Sequence, residues 1–288
     1  MNKIPLLFCG ITLSSTMLIS VNQKNTYSAM PLASSAIAAA TEEGSLTLVA
    51  NGEDFVRQGF ISKDGWEISF DNVYVNIGDA SAYSTASSFE PQKGDTKNSI
   101  DYQNKVNFLT EAKTTDLAAG DVEAEPIVVK EINVTEGFYN ALSWNVSTAD
   151  ANSVIAGKTM VLNGKAVKNG ETIDFNLGFN RPTEYICGEF IGDERLGIVT
   201  ADAPSQVEAT FHFDHLFGDR DTPPEDALNQ DALGFQPIAE LASNGTVNLD
   251  DTDLATQLSA RDYQKLTEAV SGLGHVGEGH CEVISKEE

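Results

Sequence analysis

Apolar and polar residues alternate from residue 44 to about residue 217, and this period of two limits what the chain can fold into more than any other feature. Successive side chains of a strand point to opposite faces, so alternation marks strands with one buried and one wet face. Residues 66–77 are the clearest case. Trp66, Ile68 and Phe70 share one face, Asn72 breaks the phase, and Val73, Val75 and Ile77 resume on the other parity. A one-residue slip that keeps the apolar set on one side requires a β-bulge. Further strands are predicted at 105–109, 127–134, 138–146, 159–167, 172–179, 185–190 and 207–214. Asn163-Gly164 and Asn169-Gly170 are both two-residue hairpin signals. Residues 80–104, rich in Ser, Thr, Asp and Gln, read as one long loop or an edge excursion. Many short strands without a helical period between them predict an all-β fold, an antiparallel β-sandwich or barrel.

Beyond residue 217 the pattern changes. Asp221-Thr222-Pro223-Pro224-Glu225-Asp226 is a turn followed by acids suited to a helix start. Ser259-x-x-Asp262 opens the clearest helix, with Ala260, Tyr263, Leu266, Val270 and Leu273 at spacings of three and four and Gly272 and Gly274 as stops. Residues 222–288 therefore read as a short C-terminal helical segment lying on a single domain that spans 41–288.

Residues 1–40 have the layout of a secretory signal: Lys3, an apolar run over 4–21, and a small-residue tract ending Ala38-Ala39-Ala40. An uncleaved anchor is the alternative. Cleavage leaves 43 acidic and 16 basic residues, a net charge of −27. No second apolar stretch is long enough to span a membrane, so the mature chain is expected to be secreted or periplasmic. Its charge excludes a broad phosphate-binding face, and hence a nucleic-acid partner. Cys187 and Cys281 remain in an oxidising compartment, where the simplest outcome is one disulfide; thiolate metal ligation is the alternative.

All four histidines lie in the last 77 residues, as two pairs. Random placement over the mature chain would do this about once in a hundred, so a shared role is the reading to pursue. The first pair sits in Thr210-Phe211-His212-Phe213-Asp214-His215. On a strand, Phe211 and Phe213 face the core, His212 and Asp214 take the other side, and a bend before Gly218 brings His215 round to join them. Two imidazoles and a carboxylate are suitable ligands for zinc or copper, and histidine usage does not separate the two metals. Asp214 is a ligand or a partner behind one. His275 and His280 stand among Gly274, Gly277 and Gly279, which leave the backbone free to wrap a small object. A Cys187–Cys281 disulfide would pin them to the sheet and help the pairs converge. Asp219 is placed to orient a histidine from behind.

Thr210-x-His212-x-Asp214-His215 resembles the His-x-His-x-Asp-His motif of the metallo-β-lactamase family, with threonine at its first histidine. The resemblance implies a catalytic zinc in an αββα fold, a zinc-dependent hydrolase. It covers these few residues and falls late in the chain, without the alternating helices of that fold. The acids Asp219, Asp221, Glu225, Asp226 and Asp231, with Asp250, Asp251 and Asp253, are a second candidate site. Clustered carboxylates are calcium chemistry, but their spacing is not that of the twelve-residue calcium loop. Trp66, Tyr74 and Trp144 could line a sugar-binding face or fill the core.

Together these features predict a non-enzymatic extracytoplasmic protein that captures, buffers or delivers zinc or copper, with a membrane transporter or cell-surface component as its partner. A cell-surface interaction or carbohydrate-binding module is the second expectation.

Overall fold

In the computed structural model, residues 42–286 are described; the secretory signal expected at 1–40 lies outside them. β1 (Glu43–Asn51) leads into a short helix, α1 (Glu53–Gln58), then β2 (Phe60–Ile61) and the long β3 (Glu67–Thr85). β4 (Tyr102–Asn107), β5 (Lys113–Asp116), β6 (Ile127–Thr135), β7 (Gly137–Phe138) and β8 (Ala141–Val146) follow. Next come β9 (Met160–Lys168), β10 (Glu171–Phe179), β11 (Thr183–Cys187), β12 (Ile198–Val199) and β13 (Ser205–Phe211). The remainder runs α2 (Asp214–Phe217), α3 (Ala227–Asp231), α4 (Gln236–Ala239), β14 (Thr246–Asp250), α5 (Asp251–Gln257), α6 (Ala260–Ser271), β15 (Gly274–Val276) and β16 (Gly279–Ser285).

The fold is mostly β: a curled main sheet, shaped as a half-barrel, runs β14-β10-β9-β3-β8-β11-β16-β15-β13-β1-β6 with β2, β4 and β5 also paired to β3, and β7 and β12 form a separate two-stranded sheet. The main sheet is mixed rather than purely antiparallel, because β1 pairs β13 and β10 pairs β14 in parallel. Neither pair is joined by a hairpin, and the long connections leave strand direction free. Aromatic side chains fill much of the core. Phe70 packs on Phe60, Phe175 and Phe213, and Phe235 packs on Trp66, Phe175 and Phe217. Trp66 and Trp144 are buried in this core and cannot form a sugar platform.

The bulge predicted at Asn72 is present: the β3–β9 register shifts between Phe70 and Asn72. The N–H of Val73 donates to Asp116 Oδ1 at 2.9 Å, and Asn72 Nδ2 donates to Asp116 Oδ2 at 2.8 Å. Of the two hairpin signals, Asn169-Gly170 is the turn between β9 and β10, with φ of 54° and 85°. Asn163-Gly164 instead lies inside β9. A Cβ on Gly164 would stand 2.1 Å from the Ser69 carbonyl oxygen and 2.8 Å from the Phe175 ring, so this glycine serves a close approach of strand and ring.

β3 continues to Thr85, so the loop expected at 80–104 is shorter than the sequence suggested. The C-terminal region is not purely helical either. α6 is capped as expected, Ser259 Oγ accepting from the Asp262 N–H, and buries Leu266 and Val270. Yet β14, β15 and β16 belong to the sheet; the three residues of β15 are too few to display a period. No described helix is long and apolar enough to cross a membrane.

Two glycine substitutions separate close approach from turn freedom. Gly164→Ala is expected to destabilise the fold by about 3 kcal/mol through the clash with Ser69, and Gly170→Ala by about 1 kcal/mol through its positive φ alone. Urea unfolding of the two variants measures the difference; equal losses would contradict the packing described.

Candidate metal centre

The chain leaves β13 at Phe211, earlier than the strand expected to reach residue 214. A helical turn begins at once: His215 N–H donates to the His212 carbonyl at 3.3 Å and Leu216 N–H to the Phe213 carbonyl at 3.1 Å. His212 and His215 are thus brought together through a turn, at helical spacing, rather than across a strand face. One donor atom from each of His212, Asp214 and His215 lies within 4.8 Å of the others.

The second histidine pair arrives by strand register. Thr210 of β13 stands opposite His275 of β15, and His275 opposite His280 of β16. Directly opposed residues share a face. The glycines of this segment do not form an open wrap. Gly277-Glu278 makes a tight hairpin turn, and a Cβ on Gly277 would lie 2.1 Å from the Ile191 carbonyl oxygen. Ring centroids stand 5.4 Å apart for His212–His215, 4.3 Å for His212–His275, 5.1 Å for His215–His275 and 4.7 Å for His275–His280. His212 and His275 are buried, His215 is half-buried and His280 is exposed. Cys187 and Cys281 form a disulfide between directly opposed residues of β11 and β16, one residue from His280.

Hydrogen bonds assign the imidazole protons. A carbonyl only accepts, so His275 Nε2–H donates to Gly272 O at 3.2 Å and His212 Nε2–H to Gly277 O at 3.1 Å. Each Nδ1 is left as the lone-pair nitrogen, the arrangement that carbonyl partners impose on metal-binding histidines. His275 Nδ1 and Asp214 Oδ1 are buried and have no hydrogen-bond partner among the described residues. Burial, reinforced by the neighbouring imidazoles, pushes His215 down to about 4 and His275 down to about 3. Burial also raises Asp214, against the pull of His212.

Glu53, which carries no recognisable signal in the sequence, joins the cluster. Its Oε1 lies 3.6 Å from His212 Nε2, and burial raises its carboxyl above the usual range, with Glu278, Asp214 and Glu208 adding to the shift. Glu53 adopts φ 58°, a left-handed conformation uncommon for a residue with a Cβ and stabilised here by its surroundings. A closed circuit of contacts holds it. Glu53 N–H donates to Asn51 Oδ1 at 2.9 Å, and Asn51 Nδ2 donates to Glu208 Oε1 at 3.1 Å. Thr210 Oγ1 donates to the same Glu208 oxygen at 2.9 Å and accepts from Gly277 N–H at 2.8 Å. Gly277 O then accepts from His212, closing the circuit.

Asp219 does not orient a histidine. Its carboxylate accepts from Asp221 N–H at 3.1 Å and from Thr222 Oγ1 at 3.1 Å, which tightens the turn after α2. Glu53, rather than Asp219, stands beside His212, its Oε1 3.6 Å from Nε2. Of the calcium candidates, Asp226 caps α3, Asp250 caps α5 and pairs with Lys158 at 2.8 Å, and Asp251 meets Arg181 at 3.4 Å. Thr210, at the first histidine position of the metallo-β-lactamase motif, belongs to the circuit. The short helices, the longest described being α6 with 12 residues, are not those of an αββα fold. Compared with protein-family models, curated proteins and solved structures, the chain matches none.

The buried imidazoles make the metal-free protein sensitive to acid. Unfolded histidine titrates near 6.5, whereas His275 stays neutral down to about 3, so the unfolded state takes up more protons as pH falls between these values. Stability contributed by keeping His275 neutral is full above pH 6.5 and declines below it. In the presence of a chelator, His275→Gln is expected to flatten the fall in melting temperature between pH 6.5 and pH 4.5. An unchanged slope would contradict a neutral buried imidazole.

Proposed function

We propose that this chain is an extracytoplasmic transition-metal-binding protein that captures, buffers or delivers zinc or copper. The observation that carries the reading is the grouping of His212, Asp214 and His215, one donor atom of each within 4.8 Å of the others, with Asp214 Oδ1 buried and unpartnered among the described residues. An unpartnered buried polar atom costs about 1–3 kcal/mol, and a cation bound by this group would satisfy Asp214 Oδ1. Imidazoles on one tetrahedral ion, with metal–nitrogen bonds of about 2.0–2.1 Å, place their ring centres roughly 5 Å apart. The spacing of 5.4 Å for His212–His215 suits that arrangement; the His275 ring packs against His212 at 4.3 Å and lies outside the three-residue group. Nitrogen and oxygen donors suit Zn(II) and Cu(II), while the two cysteines of the described chain are spent on the disulfide.

His212, Asp214 and His215 would hold the ion, with His275 and His280 as further donors next to them. Gly277 O, which accepts from Nε2–H, would orient His212, and Glu53, 3.6 Å from the same nitrogen, would favour the positive charge that a bound ion places on the imidazole. His280 is exposed and lines a cleft of about 540 Å³, which offers an approach to His275 from solvent. The chain's formal charge of −25 would raise the local cation concentration. The layout of residues 1–40 supports export to the periplasm or beyond, and delivery there implies a membrane transporter or cell-surface component as partner.

Elemental analysis of tag-free protein tests the reading. About one equivalent of zinc or copper is expected, and loss of that equivalent in His212→Ala/His215→Ala with the β-rich circular dichroism retained. Unchanged stoichiometry in the variant, or no metal in either protein after incubation with both ions, would refute it.

A further inference from the structure

Four asparagines stand in one row across four adjacent strands on the outer face of the sheet. Register sets Asn72 of β3 opposite Asn163 of β9, Asn163 opposite Asn176 of β10, and Asn176 beside Asn248 of β14. Their neighbours along the strands, Val73, Leu162, Phe175, Leu177 and Val247, are buried, which puts the asparagines on the opposite, solvent side. Asn176 and Asn248 are exposed, Asn72 and Asn163 half-buried. Strands lie about 4.7–4.9 Å apart, so the row extends roughly 14 Å. Asparagine is disfavoured in strands, and four in register gain nothing from packing the core. Asn72 gives its amide to Asp116. The side-chain amides of Asn163, Asn176 and Asn248 make no hydrogen bond among the described residues.

The row borders a depression of about 520 Å³. Tyr74 and Val161, opposed in register, form part of its floor, and Val154, 77% exposed, stands in its wall. The Lys158–Asp250 ion pair marks its boundary.

We propose that this face binds a neutral glycan. Each amide presents a carbonyl acceptor and two N–H donors, the combination that pairs with neighbouring hydroxyls, each of which both donates and accepts. Tyr74 and Val154 supply apolar surface for the C–H faces of a sugar ring. A protein partner is favoured by aromatic and Arg anchors around an apolar centre, and this face is dominated by neutral amides. The net charge of −25 repels polyanionic glycans, and Asp174 and Asp250 on this face are paired with Lys165 and Lys158, which leaves it locally near neutral and suited to neutral glycans. The surface is built on β3, β9, β10 and β14, whereas the histidines come from β13, α2, β15 and β16, so it does not rest on the metal reading.

Affinity chromatography of the full chain on immobilised cellohexaose, laminarihexaose, chitohexaose and mannohexaose tests the proposal. Retention on at least one is expected, unchanged by a chelator or by His212→Ala/His215→Ala. Asn176→Ala and Asn248→Ala, both at exposed positions, should each weaken binding about fivefold, and Tyr74→Ala should weaken it as well. No retention on any of the four, retention lost on chelation, or wild-type binding by Asn176→Ala/Asn248→Ala would overturn it.

Discussion

Withdrawing three imidazoles and the carboxylates of Asp214 and Glu208 from most of their water at one place is the constraint around which this structure is arranged. Burial disfavours the charged form, so His215 and His275 shift down and the carboxyls of Asp214 and Glu208 shift up. The surrounding backbone offsets part of that cost. Gly272 and Gly277 accept from two imidazoles, and Asn51 and Thr210 donate to Glu208. Among the described residues of this cluster, the fully buried side-chain atoms without a partner are Asp214 Oδ1 and His275 Nδ1.

Rigidity at this place comes from register rather than from any one strong bond. β15 is three residues long, yet its pairing with both β13 and β16 determines which residues face His275. The disulfide ties β16 to β11 beside His280 and closes a loop of 94 residues, worth about 4–5 kcal/mol by chain entropy. The circuit through Asn51, Glu208, Thr210 and Gly277 ties β1 to β13 and to the hairpin turn, and it holds Glu53 in a conformation the residue would not choose alone.

Much of this was legible in the chain itself, for identifiable reasons. Alternation exposed the strands and, through the phase break at Asn72, even the bulge, because a buried face tolerates no slip. The crowding of the four histidines into the C-terminal region pointed to a shared place. The pairing of Cys187 with Cys281 followed from their being the even pair left after the N-terminal region. Other features were hidden because they depend on distant contacts. Gly164 reads as a turn until the ring of Phe175 and the carbonyl of Ser69 are seen beside it. The role of Glu53 depends on a backbone conformation and on a histidine 159 positions away, neither of which has a local signature. The parallel pairing of β1 with β13 and of β10 with β14 was equally invisible, since no turn specifies it.

Whether the buried imidazoles act as one ligand set can be read directly by following the histidine ring resonances in NMR while zinc is added to chelator-treated protein. The account predicts that the signals of His212, His215 and His275 move together and stop changing at one equivalent. A response confined to the exposed His280, or one that drifts on past several equivalents without saturating, would contradict it.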